Sequence, residues 1–148
     1  MQVAYFAYGS NLDTSRLRMR LDHIEVVGPA VLHGWRFAVD KRGSDGSAKA
    51  NIHPAGSRSV YGVVYRFDGA LLPRLDAIEG GYERVLVELD LYPRPSRLSC
   101  HTYCSDRVAD DLPFDWYVAH MVRGAVEHGL PPDWIRQLSD LPSKLGPP

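Results

Sequence analysis

A short apolar stretch near the N-terminus stops abruptly at three small or polar residues, and it constrains the fold more than any other feature. Residues 3–8 read Val-Ala-Tyr-Phe-Ala-Tyr and have no polar face, which is typical of a strand buried on both sides. Gly9 then lets the backbone adopt positive φ or approach a ligand closely, and Ser10 or Asn11 could cap a following helix. Free backbone N–H groups at this turn could receive an anion or a developing oxyanion. A plain strand-to-helix turn satisfies the same pattern.

The rest of the chain mixes strand and helix patterns. Alternation predicts strands over 26–39, 50–54, 59–67, 82–92 and 97–104, and 3.6-residue spacing predicts helices over 13–21, 69–78 and twice in the C-terminal third. Gly62 lies in mid-strand, which predicts close approach of another backbone or a ligand. The predicted fold class is therefore α+β, a small mixed β-sheet or open β-barrel surrounded by helices. Its length of 148 residues suits a single domain over residues 1–148.

Composition and charge exclude several functions. The net charge of −1 argues against a nucleic-acid partner. No apolar run has the length of a membrane span, and the N-terminus lacks the pattern of a secretory signal. We therefore expect a cytoplasmic protein with no membrane partner.

The two cysteines flank a histidine, which raises the question of a metal or redox site. Cys100 and Cys104 fall in a predicted strand, where they share a face about 13 Å apart at a rise of about 3.3 Å per residue. That separation is too large for a disulfide, and His101 points to the opposite face. We therefore predict neither a metal site nor a redox site here.

Glu79 is the carboxylate best placed for chemistry. It follows an apolar helix and precedes two glycines. A helix C-terminus carries negative partial charge and disfavours a carboxylate, and a raised pKa would make this group a better base. An exposed glutamate at a helix end is the alternative. Ser10 is a weaker candidate, as the nucleophile of a hydrolase, because it lacks the G-x-S-x-G elbow and an identifiable base.

Four strings of residues resemble one known family, the γ-glutamylcyclotransferases. They are Tyr-Phe-Ala-Tyr-Gly-Ser-Asn-Leu at 5–12, Tyr-Gly-Val-Val-Tyr at 61–65, Leu-Asp-Ala-Ile-Glu-Gly at 75–80 and Gly-Ala-Val-Glu-His-Gly-Leu-Pro at 124–131. The resemblance runs in order from about residue 3 to residue 140.

This resemblance implies a small mixed barrel with helices and neither a metal nor an organic cofactor. It implies a small-molecule γ-glutamyl substrate whose own α-amino group attacks its γ-carbonyl. 5-Oxoproline then forms, and an amine or amino acid leaves. It places the general acid/base at Glu79. It places substrate contacts at Tyr5, Phe6, Ala7, Tyr8, Gly9, Ser10, Asn11, Tyr82 and Tyr117.

The leaving group and the oligomeric state stay open. The short connection after Glu79 resembles the branch acting on γ-glutamylamines or γ-glutamylated metabolites, whereas Gly-Leu-Pro at 129–131 resembles the amino-acid branch. The alternative to an enzyme is a non-catalytic module that binds a γ-glutamyl metabolite. Family habit and the aromatic residues Trp116 and Trp134 are compatible with a homodimer. The arginines of the first helix, Arg16, Arg18 and Arg20, are expected to face water, although one could meet an anionic substrate.

Overall fold

Five strands and four α-helices make up the fold of the computed structural model, which describes residues 1–147. The strands are β1 (Gln2–Ala7), β2 (Glu25–Arg42), β3 (Ala48–Asp68), β4 (Glu83–Leu91) and β5 (Ser96–Cys104), and the helices are α1 (Thr14–Arg20), α2 (Leu72–Ile78), α3 (Asp115–Glu127) and α4 (Pro132–Ser139). Single 3-10 turns, Ser10–Leu12 and Gly69–Leu71, precede α1 and α2. None of the helices within residues 1–147 combines the length and apolar character needed to cross a membrane.

The strands form a closed barrel in the order β1-β3-β2-β4-β5. Its pairs are antiparallel except that β1 runs parallel to β5, where Tyr5 pairs with His101. The α+β class is confirmed, and of the two predicted forms the molecule adopts the barrel, which is closed and not open. Closure follows from β1, which lies between β3 and β5 and leaves neither with an open edge.

β2 and β3 form a long hairpin, and the prediction that its second arm consists of two separate strands is wrong. The predicted strands 50–54 and 59–67 are one continuous strand, β3, of 21 residues. Its register against β2 shifts at three places, and these irregularities let one strand pass through polar and proline-containing sequence. The polar loop between the strands shrinks to about five residues. The end of the hairpin nearest this loop carries Lys41 and Ala50, and both residues line cavities of the candidate site.

Two glycines bring the N-terminal turn close to its neighbours. A Cβ at Gly62 would lie 2.7 Å from the Phe6 ring and would collide with the carbonyl oxygen of Ala7, so the predicted close approach of a second backbone is confirmed. A Cβ at Gly124 on α3 would collide with the backbone of Leu12. Glycine at these positions therefore lets β1 and the turn after it pack directly on β3 and on α3.

The helix after the turn begins later than predicted. Ser10 and Asn11 belong to the 3-10 turn, and Asp13 caps α1 by accepting a hydrogen bond from the backbone N–H of Ser15 at 3.2 Å. The Asp13 carboxylate also accepts hydrogen bonds from His120 at 2.8 Å and Arg123 at 3.0 Å on α3. One buried carboxylate therefore fixes α1 against α3.

Candidate active site

A cavity lies where β1 ends. Its walls are Tyr5, Phe6, Tyr8, Gly9, Ser10, Asn11, Ala50, Glu79, Tyr82, Thr102, Tyr103 and Tyr117. The structure thus brings together every site residue expected from the sequence except Ala7, which is buried beside the cavity without lining it. Residues up to 112 positions apart in sequence meet here because β1 lies in the barrel between strands of later sequence, and α3 packs on the turn.

Glu79 is the carboxylate of this cavity. It is the C-cap of α2, and only 16% of its side chain is exposed. Its Oε1 accepts a hydrogen bond from Asn11 Nδ2 at 3.0 Å and lies 3.8 Å from the Arg20 guanidinium. These contacts within residues 1–147 all involve Oε1, which leaves Oε2 to a ligand or to solvent. The interpretation of Glu79 as an exposed residue at a helix end is therefore wrong.

Burial dominates the proton affinity of Glu79. Removal from water raises the pKa of its carboxyl, although the charge of Arg20 and the hydrogen bond from Asn11 oppose the rise. A carboxylate with a raised pKa in a cleft is a recognised mark of a functional site.

One residue of β3, Ala50, holds the two later tyrosines in the cavity wall. The backbone N–H of Ala50 donates to the Tyr117 hydroxyl at 2.9 Å, and the Tyr82 hydroxyl donates to the Ala50 carbonyl at 2.6 Å. Both rings are therefore fixed in place before any ligand binds. The sequence did not identify Ala50, since an alanine in a strand carries no signal of its own.

The phenols of the wall are neutral donors and acceptors at ordinary pH. Burial raises the pKa of Tyr5, Tyr8 and Tyr82 well above its usual value and that of Tyr117 to about 12. The cavity consequently surrounds its single carboxylate with uncharged aromatic hydroxyls.

The turn after β1 supplies a narrow floor. A Cβ at Gly9 would lie 3.0 Å from the Ala50 side chain and 3.3 Å from the Tyr117 hydroxyl, so glycine keeps this floor open. Ser10 accepts a hydrogen bond from Arg16 Nε at 3.1 Å. A guanidinium cannot take a proton from serine, so the contact does not activate Ser10 as a nucleophile.

Two of the three α1 arginines face the site, contrary to the expectation that they face water. Arg16 binds Ser10, Arg20 lies beside Glu79, and Arg18 is exposed.

Thr102 and Tyr103 of β5 also line the cavity, although the sequence did not identify them as site residues. Thr102 donates to the carbonyl of Phe6 at 2.9 Å, and Tyr103 donates to Asp76 at 2.7 Å.

The remaining sequence candidates lie away from the cavity. Cys100 and Cys104 are both free and lie on β5, as predicted. Within residues 1–147 no group of three or more His, Cys, Asp or Glu side chains is arranged to hold a metal ion. Trp134 is buried against Phe37 and Tyr61 and therefore offers no aromatic surface.

This chain belongs to the AIG2-like family, whose model matches residues 59–138. The matched segment includes Glu79, Tyr82 and Tyr117. The resemblance to γ-glutamylcyclotransferases is confirmed by named relatives. The mouse gamma-glutamylcyclotransferase is 28% identical over 144 residues, which cover 90% of this chain and 76% of the mouse protein. The bovine gamma-glutamylcyclotransferase is 26% identical over 147 residues, which cover 93% of this chain and 77% of the bovine protein.

The fold is also that of solved structures. A gamma-glutamyl cyclotransferase of known structure superposes with a TM-score of 0.89 at 24% identity and covers 97% of this chain and 90% of its own. At this identity the similarity establishes the shared fold.

Proposed function

We propose that this protein is a γ-glutamyl cyclotransferase that releases 5-oxoproline from a γ-glutamyl amide. The observation that carries the proposal is Glu79, a largely buried carboxylate with a raised pKa and a free oxygen in a cavity of neutral phenols. The named mouse and bovine relatives support the same activity.

The reaction needs no nucleophile from the protein. The substrate's α-amino nitrogen attacks its own γ-carbonyl carbon, a new C–N bond closes the five-membered lactam, and the original amide C–N bond breaks. The α-ammonium loses two protons in this sequence, and the departing nitrogen gains two and leaves as an ammonium. Glu79 relays these protons, one at a time, from the attacking nitrogen to the leaving nitrogen. Because ring closure is intramolecular, the cavity mainly has to hold the substrate chain bent.

The raised pKa of Glu79 suits this proton transfer. An α-ammonium has a pKa near 8 and an ordinary glutamate one near 4.3, so the transfer is uphill by about 4 units, or about 5 kcal/mol. Burial raises the pKa of Glu79 and lowers that of an ammonium bound beside it. The desolvated cavity therefore narrows the difference between the two pKa values.

The turn at residues 9–11 is the proposed oxyanion site. The first N–H groups of a helical turn have no acceptor within that turn, and Ser10–Leu12 forms such a turn on the cavity wall. An N–H group aimed at the γ-carbonyl oxygen would stabilise the negative charge that develops there by about 3–4 kcal/mol. The hydroxyls of Tyr82 and Tyr117, held by Ala50, would enclose the γ-glutamyl chain.

The test is mass-spectrometric detection of 5-oxoproline. Purified wild type and Glu79→Gln are each offered γ-glutamyl-alanine, γ-glutamyl-lysine and a γ-glutamylated amine. Release by wild type and not by the variant supports both the reaction and the role of Glu79. Glu83→Gln is the matched control, because it makes the same change at an exposed glutamate four residues later.

The panel also separates this activity from its alternative. A binding module would give calorimetric binding of these compounds without 5-oxoproline, and that result would overturn the proposed function. An acyl-enzyme mass adduct on Ser10 would instead point to a hydrolase.

A further inference from the structure

A second cavity lies beside the first. The two share Ser10, Glu79, Tyr82 and Tyr117 as walls, so they adjoin at the Glu79 side chain. The outer cavity extends between α1 and the loop that joins β2 to β3. A group leaving from a γ-carbonyl held beside Glu79 would enter it.

The two cavities differ in charge. No lysine or arginine lines the inner cavity, whereas the outer one is lined by Arg16, Arg20, Lys41 and Lys49, with Asp45 and Glu79 as the only acids on its wall. Lys49 is paired with Asp45 at 2.9 Å, and Arg20 lies 3.8 Å from Glu79. The outer wall therefore carries an excess of positive charge.

This pairing leaves over two cations, Arg16, which donates a hydrogen bond to Ser10, and the buried Lys41. Lys41 is 7% exposed, and within residues 1–147 no carboxylate lies within 4.0 Å of its ammonium. Its Nζ donates to the carbonyl of Gly80 at 2.8 Å and lies 4.6 Å from the centroid of the Tyr82 ring. Both of these partners are neutral. A buried ammonium without an anion is unfavourable, so the burial of Lys41 requires an explanation.

The backbone beside Lys41 makes room for this ammonium. Gly81 has a φ of 85°, and a Cβ there would lie 2.9 Å from Lys41 Nζ. Glycine thus serves both the left-handed turn and the space around Nζ. Burial lowers the pKa of Lys41, while the nearby charge of Glu79 opposes that change.

We propose that Lys41 binds a carboxylate on the leaving group, which makes the substrates γ-glutamyl amino acids or peptides and not γ-glutamylamines. The inference rests on the proposed function and deepens it. The γ-glutamyl moiety occupies the inner cavity, the scissile amide lies at Glu79, and the leaving group's carboxylate supplies the anion that Lys41 lacks. The short connection after Glu79, which resembles the amine branch, places Gly80 and Gly81 around this lysine.

The test compares γ-glutamyl-alanine with γ-glutamyl-alaninamide, which has the same size without the charge, and with γ-glutamyl-ethylamine, which lacks the carboxyl group. For wild type we expect kcat/KM for the acid to exceed that for the amide by about 10- to 100-fold, the usual effect of a hydrogen bond to a charged group. In Lys41→Met the preference should fall to near unity because turnover of the acid declines and turnover of the two neutral substrates persists. Lys144→Met is the matched control, since it removes a lysine outside both cavities.

The ratio of kcat/KM for the acid to kcat/KM for the amide distinguishes substrate recognition by Lys41 from an effect of Lys41 on Glu79. A change in the Glu79 pKa would alter turnover of all three substrates alike and leave the ratio unchanged. An unchanged ratio in Lys41→Met, or equal turnover of acid and amide by wild type, would overturn the assignment while the cyclotransferase activity stands. No 5-oxoproline from any of the three would overturn both. Thermal unfolding checks the fold, and we expect Tm of Lys41→Met to equal or exceed that of wild type.

Discussion

Two helices of seven residues each carry a mostly buried carboxylate, but at opposite ends. Asp13 caps the N-terminus of α1 and Glu79 the C-terminus of α2. Burial raises the pKa of both carboxyls, but at Asp13 hydrogen bonds from His120, Ser15 and Arg123 outweigh it and lower the pKa to about 2. At Glu79 the charge of Arg20 and the hydrogen bond from Asn11 do not outweigh burial, and the pKa stays raised.

The difference between the two pKa shifts follows from the position of each carboxylate on its helix and from the hydrogen-bond donors around it. A helix N-terminus presents N–H groups and positive partial charge, whereas a C-terminus presents carbonyls and negative partial charge. Asp13 Oδ2 accepts from two side chains of α3, His120 and Arg123, while Glu79 accepts one neutral amide donor and keeps one oxygen free. A satisfied buried carboxylate fixes two helices together, and an under-satisfied one can exchange protons. The following predictions test this contrast.

The largest effect belongs to the rate of catalysis. Glu79→Gln preserves the shape of the side chain and its contact with Asn11 but cannot accept a proton. We expect kcat to fall by about 100- to 10,000-fold, the usual contribution of a general acid/base, measured as 5-oxoproline release. The same assay on Asp13→Asn should give kcat within about twofold of wild type once folded protein is counted. A comparable loss in both variants would refute the division of roles.

Asp13→Ala should act on stability instead. It removes the helix cap and the hydrogen bonds to α3 from a side chain that is 3% exposed. We expect a loss of about 2 kcal/mol in the free energy of unfolding, or roughly 4–8 °C in Tm. Asp22→Ala is the control, because Asp22 is 76% exposed and its ion pair with Arg74 is long, at 4.0 Å.

The stability that Asp13 contributes depends on pH with a definite sign. A lowered pKa means that the stability from Asp13 is present above its unfolded pKa near 4 and lost as pH falls through about 2. An equal acid transition in the variant would contradict this account.

The contrast also explains how far the sequence could predict the site. Glu79 and the turn at 9–11 were identified because local patterns, a helix end and a broken strand, carry information about them. Asp13 was missed as the cap because Ser10 and Asn11 precede it with equally good capping side chains, and the choice depends on donors from α3, about 110 residues away. Ala50 and Lys41 were missed because their roles arise only when the β2–β3 hairpin reaches the cavity. Barrel closure by β1 is likewise a long-range pairing that alternation within one strand does not reveal.

Asn11→Ala should sharpen the description of Glu79. Asn11 Nδ2 donates to both Glu79 Oε1 and the Tyr5 hydroxyl at 3.0 Å. This hydrogen bond lowers the pKa of Glu79, so its loss should raise that pKa further. We expect the acid limb of the kcat/KM–pH profile to move to higher pH, with a decrease of up to about tenfold at neutral pH. Ser10→Ala, which leaves the Glu79 contacts intact, is the control and should leave the position of the limb unchanged. A limb that stays in place in Asn11→Ala would mean that another group sets the profile.

The smallest effect is the influence of Glu79 on stability, and its sign is opposite to that of Asp13. A carboxyl with a raised folded pKa contributes its stability below the unfolded pKa and loses it as pH rises through the folded pKa. Glu79→Gln cannot ionise, so we expect its Tm to match that of wild type at pH 4 and to exceed it by a few degrees at pH 8. Asp13→Asn should show the reverse, with a deficit that grows as pH rises from 2 to 6. Thermal scans of wild type, Glu79→Gln and Asp13→Asn across both pH ranges measure the two trends. Parallel Tm curves for wild type and Glu79→Gln would mean that Arg20 and Asn11 fully compensate the buried charge, and Glu79 would then resemble Asp13 after all.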